Sequence, residues 1–192
     1  MPNALEYARQ HADRFRADFE DLLRIPSVST LPERAPDVER AAQWIAADMR
    51  RIGLTRVELF RREGRNPLVY GEWLGAGPSA PTVLIYSHYD VQPAEMADGW
   101  ATDPFTPTEI DGKLYARGAL DSKCHVVANL KAVESLLAAE GRAPANVKFL
   151  YEGEEESNSE FIFDFVAANP DLLRADAVAI SDGSMPDPAQ PA

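Results

Sequence analysis

Thr82–Val83–Leu84–Ile85–Tyr86–Ser87–His88–Tyr89–Asp90 passes from an apolar run straight into a histidine and an aspartate two residues apart. A continuous apolar run of this length fits a central strand covered on both faces, as in the sheets of α/β proteins. On extended backbone, residues two apart point the same way, so His88 and Asp90 leave the strand end together. Three further stretches share this build. They are Tyr115–Ala116–Arg117–Gly118–Ala119–Leu120–Asp121, Val147–Lys148–Phe149–Leu150–Tyr151 running into Glu154–Glu155–Glu156, and Ala177–Val178–Ala179–Ile180–Ser181–Asp182. The carboxyl ends of strands are where α/β sheets place their ligands. Four such ends, each carrying groups able to bind metal, define a candidate site.

Helical spacing surrounds these strands. Leu5, Ala8, Ala12, Phe15, Phe19, Leu22 and Leu23 predict a helix over 4–24 that stops at Ile25–Pro26. A second helix is expected from about Asp37 to Arg51, with Asp37 as N-cap and Gly53 as the stop. Its apolar face carries Val38, Ala41, Ala42, Ile45 and Met49. Strands are expected at 56–60 and 68–73, and residues 91–113, rich in Pro, Asp and Gly, read as a long loop. A helix from Ser122 to Ala139 would bury Val126, Leu130, Val133, Leu136 and Leu137. A strand at Asn146–Tyr151, a helix at Ser159–Ala168 and a last buried strand at Ala177–Ser181 follow, then a Pro-rich tail over 186–192. The alternation predicts a three-layer α/β/α sandwich on a mostly parallel sheet, with an antiparallel portion within 56–87.

At 192 residues and 45% apolar content the chain can build one substantial core, and a single domain is expected. Its 31 acidic residues against 19 Lys and Arg leave a formal charge of −12, which argues against nucleic acid or an anionic membrane as partner. Asn3–Ala4–Leu5–Glu6–Tyr7 opens an amphipathic helix rather than a signal segment, and no long apolar span follows. Cys124, the single cysteine, excludes an internal disulfide framework and suits a reducing cytoplasm. Carboxylates gathered in one pocket repel one another unless a cation neutralises them; most of the 31 acids are read as solvated.

Each candidate has a plainer alternative. His88 fits a zinc ligand oriented by Asp90, or half of an ordinary hydrogen-bonded pair. Asp121 fits a carboxylate bridging two cations, or the N-cap of the following helix. Glu155 and Glu156 fit a proton acceptor and a metal ligand, or a solvated acidic loop. Asp182 fits a ligand, or a turn former.

Tyr86–Ser87–His88–Tyr89–Asp90–Val91–Gln92–Pro93, the run from Asp111 to Lys123, Tyr151–Glu152–Gly153–Glu154–Glu155–Glu156–Ser157 and Ile180–Ser181–Asp182 resemble, in order, the motifs of the carnosinase-type zinc dipeptidases. That family also holds aminoacylase, acetylornithine deacetylase and succinyl-diaminopimelate desuccinylase. The resemblance runs from about residue 5 to 187. It implies that His88, Asp121 and Asp182 hold one zinc, that Asp121 bridges to a second zinc bound by Glu156, and that Glu155 is the general base with Asp90 behind His88. Manganese or cobalt are the alternative metals. It implies a cis peptide after Asp121 and hydrolysis of an amide bond in a dipeptide or short peptide. Gly99–Trp100 and Pro104–Phe105 resemble the dipeptidase branch; an N-acyl-amino-acid deacylase is the alternative within the family.

The pattern departs from the family in three places. The family's second zinc takes a histidine from near the end of a chain about twice this length, and His11, His88 and His125 are the histidines here, none of them in that motif. An inserted lid and dimerisation domain has no counterpart either. The expectation is therefore the N-terminal part of a zinc-peptidase catalytic domain, partnered by a second copy or by the missing C-terminal half across exposed apolar surface. A truncated, catalytically silent metal-binding domain is the competing reading. Cys124 stands where glycine is usual, and because helix neighbours do not face each other, Cys124 and His125 read as a packed thiol beside a histidine rather than a nucleophile and its base. Asn158 also replaces a common glycine, and asparagine tolerates the left-handed backbone such a turn needs.

Overall fold

A computed structural model describes residues 3–183, so the Pro-rich tail lies outside the described residues. In chain order the elements are α1 (Ala4–Gln10), α2 (Ala12–Leu23), α3 (Ala35–Arg51), β1 (Arg56–Phe60), β2 (Leu68–Trp73), β3 (Thr82–His88), β4 (Thr108–Ile110) and β5 (Lys113–Tyr115). Then come α4 (Lys123–Glu140), β6 (Asn146–Glu152), α5 (Glu160–Ala168), α6 (Pro170–Leu173) and β7 (Ala177–Ile180). Five strands form one sheet in the order β1-β2-β6-β3-β7, and β4 and β5 form a separate hairpin. β1 with β2 and β2 with β6 pair antiparallel, whereas β6 with β3 and β3 with β7 pair parallel. The sheet is therefore mixed, with its early strands making the antiparallel half and the parallel half carrying the site.

Helices cover both faces, as the alternation predicted. On one, Val38, Ile45 and Met49 of α3 and Val126 and Leu130 of α4 pack with Val69, Phe149 and Tyr151. On the other, Phe161, Ile162 and Phe165 of α5 and Leu173 of α6 pack with Leu68, Tyr70, Leu84 and Leu150. The strand residues alternate between the faces with a period of two. Leu136 and Leu137 of α4 are only partly buried. No helix among the described residues is long and apolar enough to cross a membrane.

Several boundaries differ from expectation. The first helix is two: at His11 the backbone leaves the helical region (φ −110°, ψ 14°), although its amide still reaches the Tyr7 carbonyl, and its ring stacks on that of Tyr7. Asp37 is not an N-cap. α3 starts two residues earlier, its first turn accommodates Pro36, and Asp37 pairs with Arg34 at 3.1 Å and Arg40 at 2.9 Å. Gly53 does end that helix: at φ +94° its amide reaches the Arg50 carbonyl while Leu54 reaches that of Met49.

The long loop hides the β4–β5 hairpin, closed by Asp111 (φ 51°) and Gly112 (φ 74°). Strands of three residues are too short to show a periodicity. The strand covered on both faces is β6, buried throughout, while β3 is only half covered. β7 is exposed at every residue, which corrects the expected last buried strand. Among the described residues it pairs with β3 alone, and between it and α5 lies a groove of about 590 Å³ lined by Ile162, Phe163, Val166, Val178 and Ile180 among others.

Candidate metal centre

Parallel pairing sets the site. Tyr86 of β3 is level with Ile180 of β7, so His88 and Asp182, each two residues further on, arrive together. His88 is also level with Glu152, the last residue of β6, and the single helical turn Glu155–Ser157 follows at that same edge. Asp121 approaches from the other side, on the short segment between β5 and α4.

His88 is fully buried. Its Nε2 lies 3.0 Å from Asp121 Oδ1, 3.3 Å from Asp182 Oδ2 and 3.9 Å from Glu155 Oε2. One donor atom each from His88, Asp121 and Asp182 fall within 4.8 Å of one another. Two ligands each ~2.1 Å from a tetrahedral zinc stand roughly 3.4 Å apart, so this imidazole nitrogen and these carboxylate oxygens fit such an ion in chemistry and in spacing. On the far side of the ring, Nδ1 lies 3.1 Å from the Asp90 carbonyl and 3.3 Å from its carboxylate. Asp90, itself fully buried, accepts hydrogen bonds from the Glu155 amide at 3.2 Å and the Glu156 amide at 3.1 Å. One carboxylate thus orients both the imidazole and the acidic turn.

Burial disfavours a charged His88 imidazole, but the hydrogen bond to Asp90 and the charges of Asp90, Asp182 and Glu155 outweigh it and raise its pKa to about 9. Glu155 is pushed up by burial and by neighbouring Glu156, Asp90 and Asp182, with His88 opposing. A metal ligand must give up its proton, so a divalent cation here would displace the one on His88.

Glu156 stands apart. Its carboxylate accepts from Gln92 Nε2 at 2.7 Å and does not join the cluster of mutually close donors. Of the six residues singled out in the sequence, the fold gathers His88, Asp121, Asp182 and Glu155 about one ring nitrogen, sets Asp90 behind the ring and turns Glu156 aside. The acidic run is solvated only in part, with Glu155 exposed and Glu156 half-buried. Glu154 is buried and accepts from the Asn66 and Phe161 amides. Glu152 is buried, accepts from Tyr86 Oη at 2.5 Å, and is pushed up to about 7 by burial.

The Asp121–Ser122 peptide is cis, as the motif resemblance implies. Ser122 Oγ is 3.0 Å from both Ser87 Oγ and His125 Nδ1, joining the start of α4 to the end of β3. The Cys124 thiol donates to the Leu120 carbonyl and burial pushes its pKa to about 11, so it has the character of a packed thiol. Asn158 adopts φ 94°. Lys123 is fully buried, and its Nζ donates to the carbonyls of Leu22 and Ile25. Desolvation lowers its pKa to about 7. Sequence reasoning missed Gln92, Ser122 and Lys123 as contributors. All three lie inside the quoted motifs, but nothing in composition marks a lysine for complete burial.

Residues 84–191 match the model of peptidase family M20/M25/M40, and the chain belongs to that family. It is 36% identical over 195 residues to the Beta-Ala-His dipeptidase of Rattus norvegicus, covering 95% of this chain and 39% of that protein. With the Cys-Gly metallodipeptidase dug1 of Schizosaccharomyces pombe the identity is 34% over 181 residues, covering 88% and 38%. The crystal structure of human carnosine dipeptidase 1 superposes with a TM-score of 0.87 at 35% identity, over 94% of this chain and 40% of that one. The chain thus spans about two fifths of the length of these relatives.

Proposed function

We propose that this chain serves metal-dependent hydrolysis of an amide bond in dipeptides or short peptides, with His88, Asp121 and Asp182 as ligands of a first zinc ion. The convergence of two carboxylates on the buried Nε2 of His88 carries the proposal. The names of the dipeptidase relatives support a short-peptide substrate. When bound, a divalent cation polarises the scissile carbonyl and lowers the pKa of a water ligand to roughly 7. Glu155, its carboxylate 3.9 Å from the ring nitrogen and exposed, would accept a proton and return it to the leaving amine. Asp90 holds the His88 ring in its ligating orientation. Asp121 and Glu156 would be this chain's contributions to holding a second zinc. In this reading residues 1–192 form the N-terminal part of a catalytic domain, and further ligands and substrate contacts come from elsewhere in the polypeptide or from a partner chain. Manganese or cobalt would use the same donors.

A second reading has its own support. Glu156 is held by Gln92, His11 is bonded to Tyr7 and His125 to Ser122, so a one-metal domain without turnover also fits these contacts. Zinc titration of the metal-free chain, followed by a dipeptide hydrolysis assay, separates the two. Two tight sites with hydrolysis support the peptidase. One site, lost in His88→Ala and without turnover after loading, supports the silent domain, and no site at all refutes both.

A further inference from the structure

Lys123 is fully buried two residues after Asp121, and the chemistry proposed above does not use it. We propose that Lys123 is a positioning residue for Asp121, tying the start of α4 to the end of α2 so that the carboxylate meets His88. This rests on reading the site as a metal centre.

Lys123 Nζ donates to the carbonyls of Leu22 at 3.1 Å and Ile25 at 2.5 Å. Both carbonyls also accept main-chain amides, Leu22 from Ile25 at 3.2 Å and Ile25 from Ser27 at 2.8 Å, so the lysine is a second donor to each where α2 ends and its dipole favours positive charge. The aliphatic stem packs against Gly118, where an added Cβ would come within 3.1 Å of Lys123 Cδ and of Val91 Cγ1. The segment bearing Asp121 therefore has the lysine stem on one side, while Ser122 is bonded to Ser87 on the other.

The residues Lys123 grips are also fixed to the opposite half of the site. Ser27 Oγ donates to the Tyr89 carbonyl at 2.7 Å, and the Val91 amide donates to the Ser27 carbonyl at 3.0 Å. Residues 22–28 thus form a bar, with the His88–Asp90 segment fastened to it by Ser27 and the Asp121 segment fastened to it by Lys123. An apolar side chain would fill the same space but cut the tie between α4 and the two carbonyls, leaving each with its main-chain donor alone.

Outer contacts that orient a metal ligand typically change metal affinity about 10–100-fold. By linkage, metal binding must strengthen the Lys123 contact by the same factor that the contact strengthens metal binding.

Lys123→Met and Lys123→Gln have side chains of similar length and differ in hydrogen-bonding ability, which isolates the donor. Each full chain, checked for folding by circular dichroism, is titrated with zinc against a chromophoric chelator. The expected result is a loss of about 10–100-fold in Lys123→Met, partly restored in Lys123→Gln. A merely structural lysine would lower the folded fraction without changing the affinity of the folded chain. Folded Lys123→Met with unaltered affinity, or equal losses in both variants, overturns the proposal while leaving the metal reading intact. If neither variant folds, the unaltered chain labelled with ¹⁵N-lysine decides: zinc should slow exchange of the Lys123 Nζ protons with water, and unchanged exchange overturns the proposal. Failure of the unaltered chain to bind zinc removes the metal reading, and this proposal with it.

Discussion

Asp90 accepts the amides of Glu155 and Glu156 while its carboxylate faces His88 Nδ1, so three parts of the site meet on one side chain. Asp90→Asn keeps the shape but replaces one acceptor oxygen with a donor and removes the charge behind the ring. Zinc affinity is expected to fall about 10–100-fold by chelator competition, with the fold retained by circular dichroism. Glu134 plays a different part. It is buried and accepts from Arg51 at 3.1 and 2.8 Å and from Arg14, joining α4 to α2 and α3. Burial raises its pKa, but the hydrogen bonds from Arg51 and Arg14 outweigh this and bring it from 4.5 to about 2. Because the folded value is the lower one, its stabilisation is present above pH ~4.5 and is lost as pH falls from there towards ~2. Glu134→Gln should lose this acid sensitivity and cost about 3 kcal/mol near pH 7, the low end for a broken buried pair because both arginines are partly exposed. Urea unfolding across pH 2–7, on the order of one curve per pH unit, checks both effects. At this scale the meeting of His88, Glu155 and Asp182 was legible because chain spacing decides which residues follow the ends of β3, β6 and β7. Asp121 is different, arriving not from a strand end of this sheet but from the segment between the hairpin strand β5 and α4. The turn of Glu156 towards Gln92 was not legible, because it depends on a side-chain rotamer set by a residue 64 positions away.

The acidic turn hangs from β6 through Gly153, and that glycine has no room for a side chain. An added Cβ would meet Tyr89 Oη at 2.6 Å and Cζ at 2.7 Å. The Tyr89 ring cannot retreat, being fully buried with its hydroxyl donating to the Pro67 carbonyl at 2.5 Å. Gly153→Ala should therefore cost about 1–3 kcal/mol in urea unfolding, and should weaken zinc binding by displacing the Glu155 turn. The extents of β1, β2 and β6 and the apolar face of α3 were readable because their periodicity and their terminating residues agree. The break at His11 and the exposure of β7 were not. The first is a departure of one residue's backbone from helical angles, and the second is the open groove that lies between α5 and β7. Apolar composition alone does not distinguish a covered strand from an open one.

For the molecule as a whole, the three layers followed from the alternation of strands and helices, and the uncovered face did not. Phe163, Val178 and Ile180 are 70%, 61% and 62% exposed around the groove beside β7. A contiguous apolar patch of this kind marks an interaction surface or an aggregation liability. The chain is expected to self-associate in sedimentation velocity as its concentration rises. Val178→Lys with Ile180→Lys should shift it towards monomer, since lysine on an edge strand opposes pairing. Among the described residues β7 is hydrogen-bonded on its β3 side alone. Ala177–Val178–Ala179–Ile180 thus presents an open row of amides and carbonyls, uncharged and free of proline. Warm, concentrated stocks should nucleate fibrils along that row, announced by thioflavin T fluorescence well before any loss of helical signal.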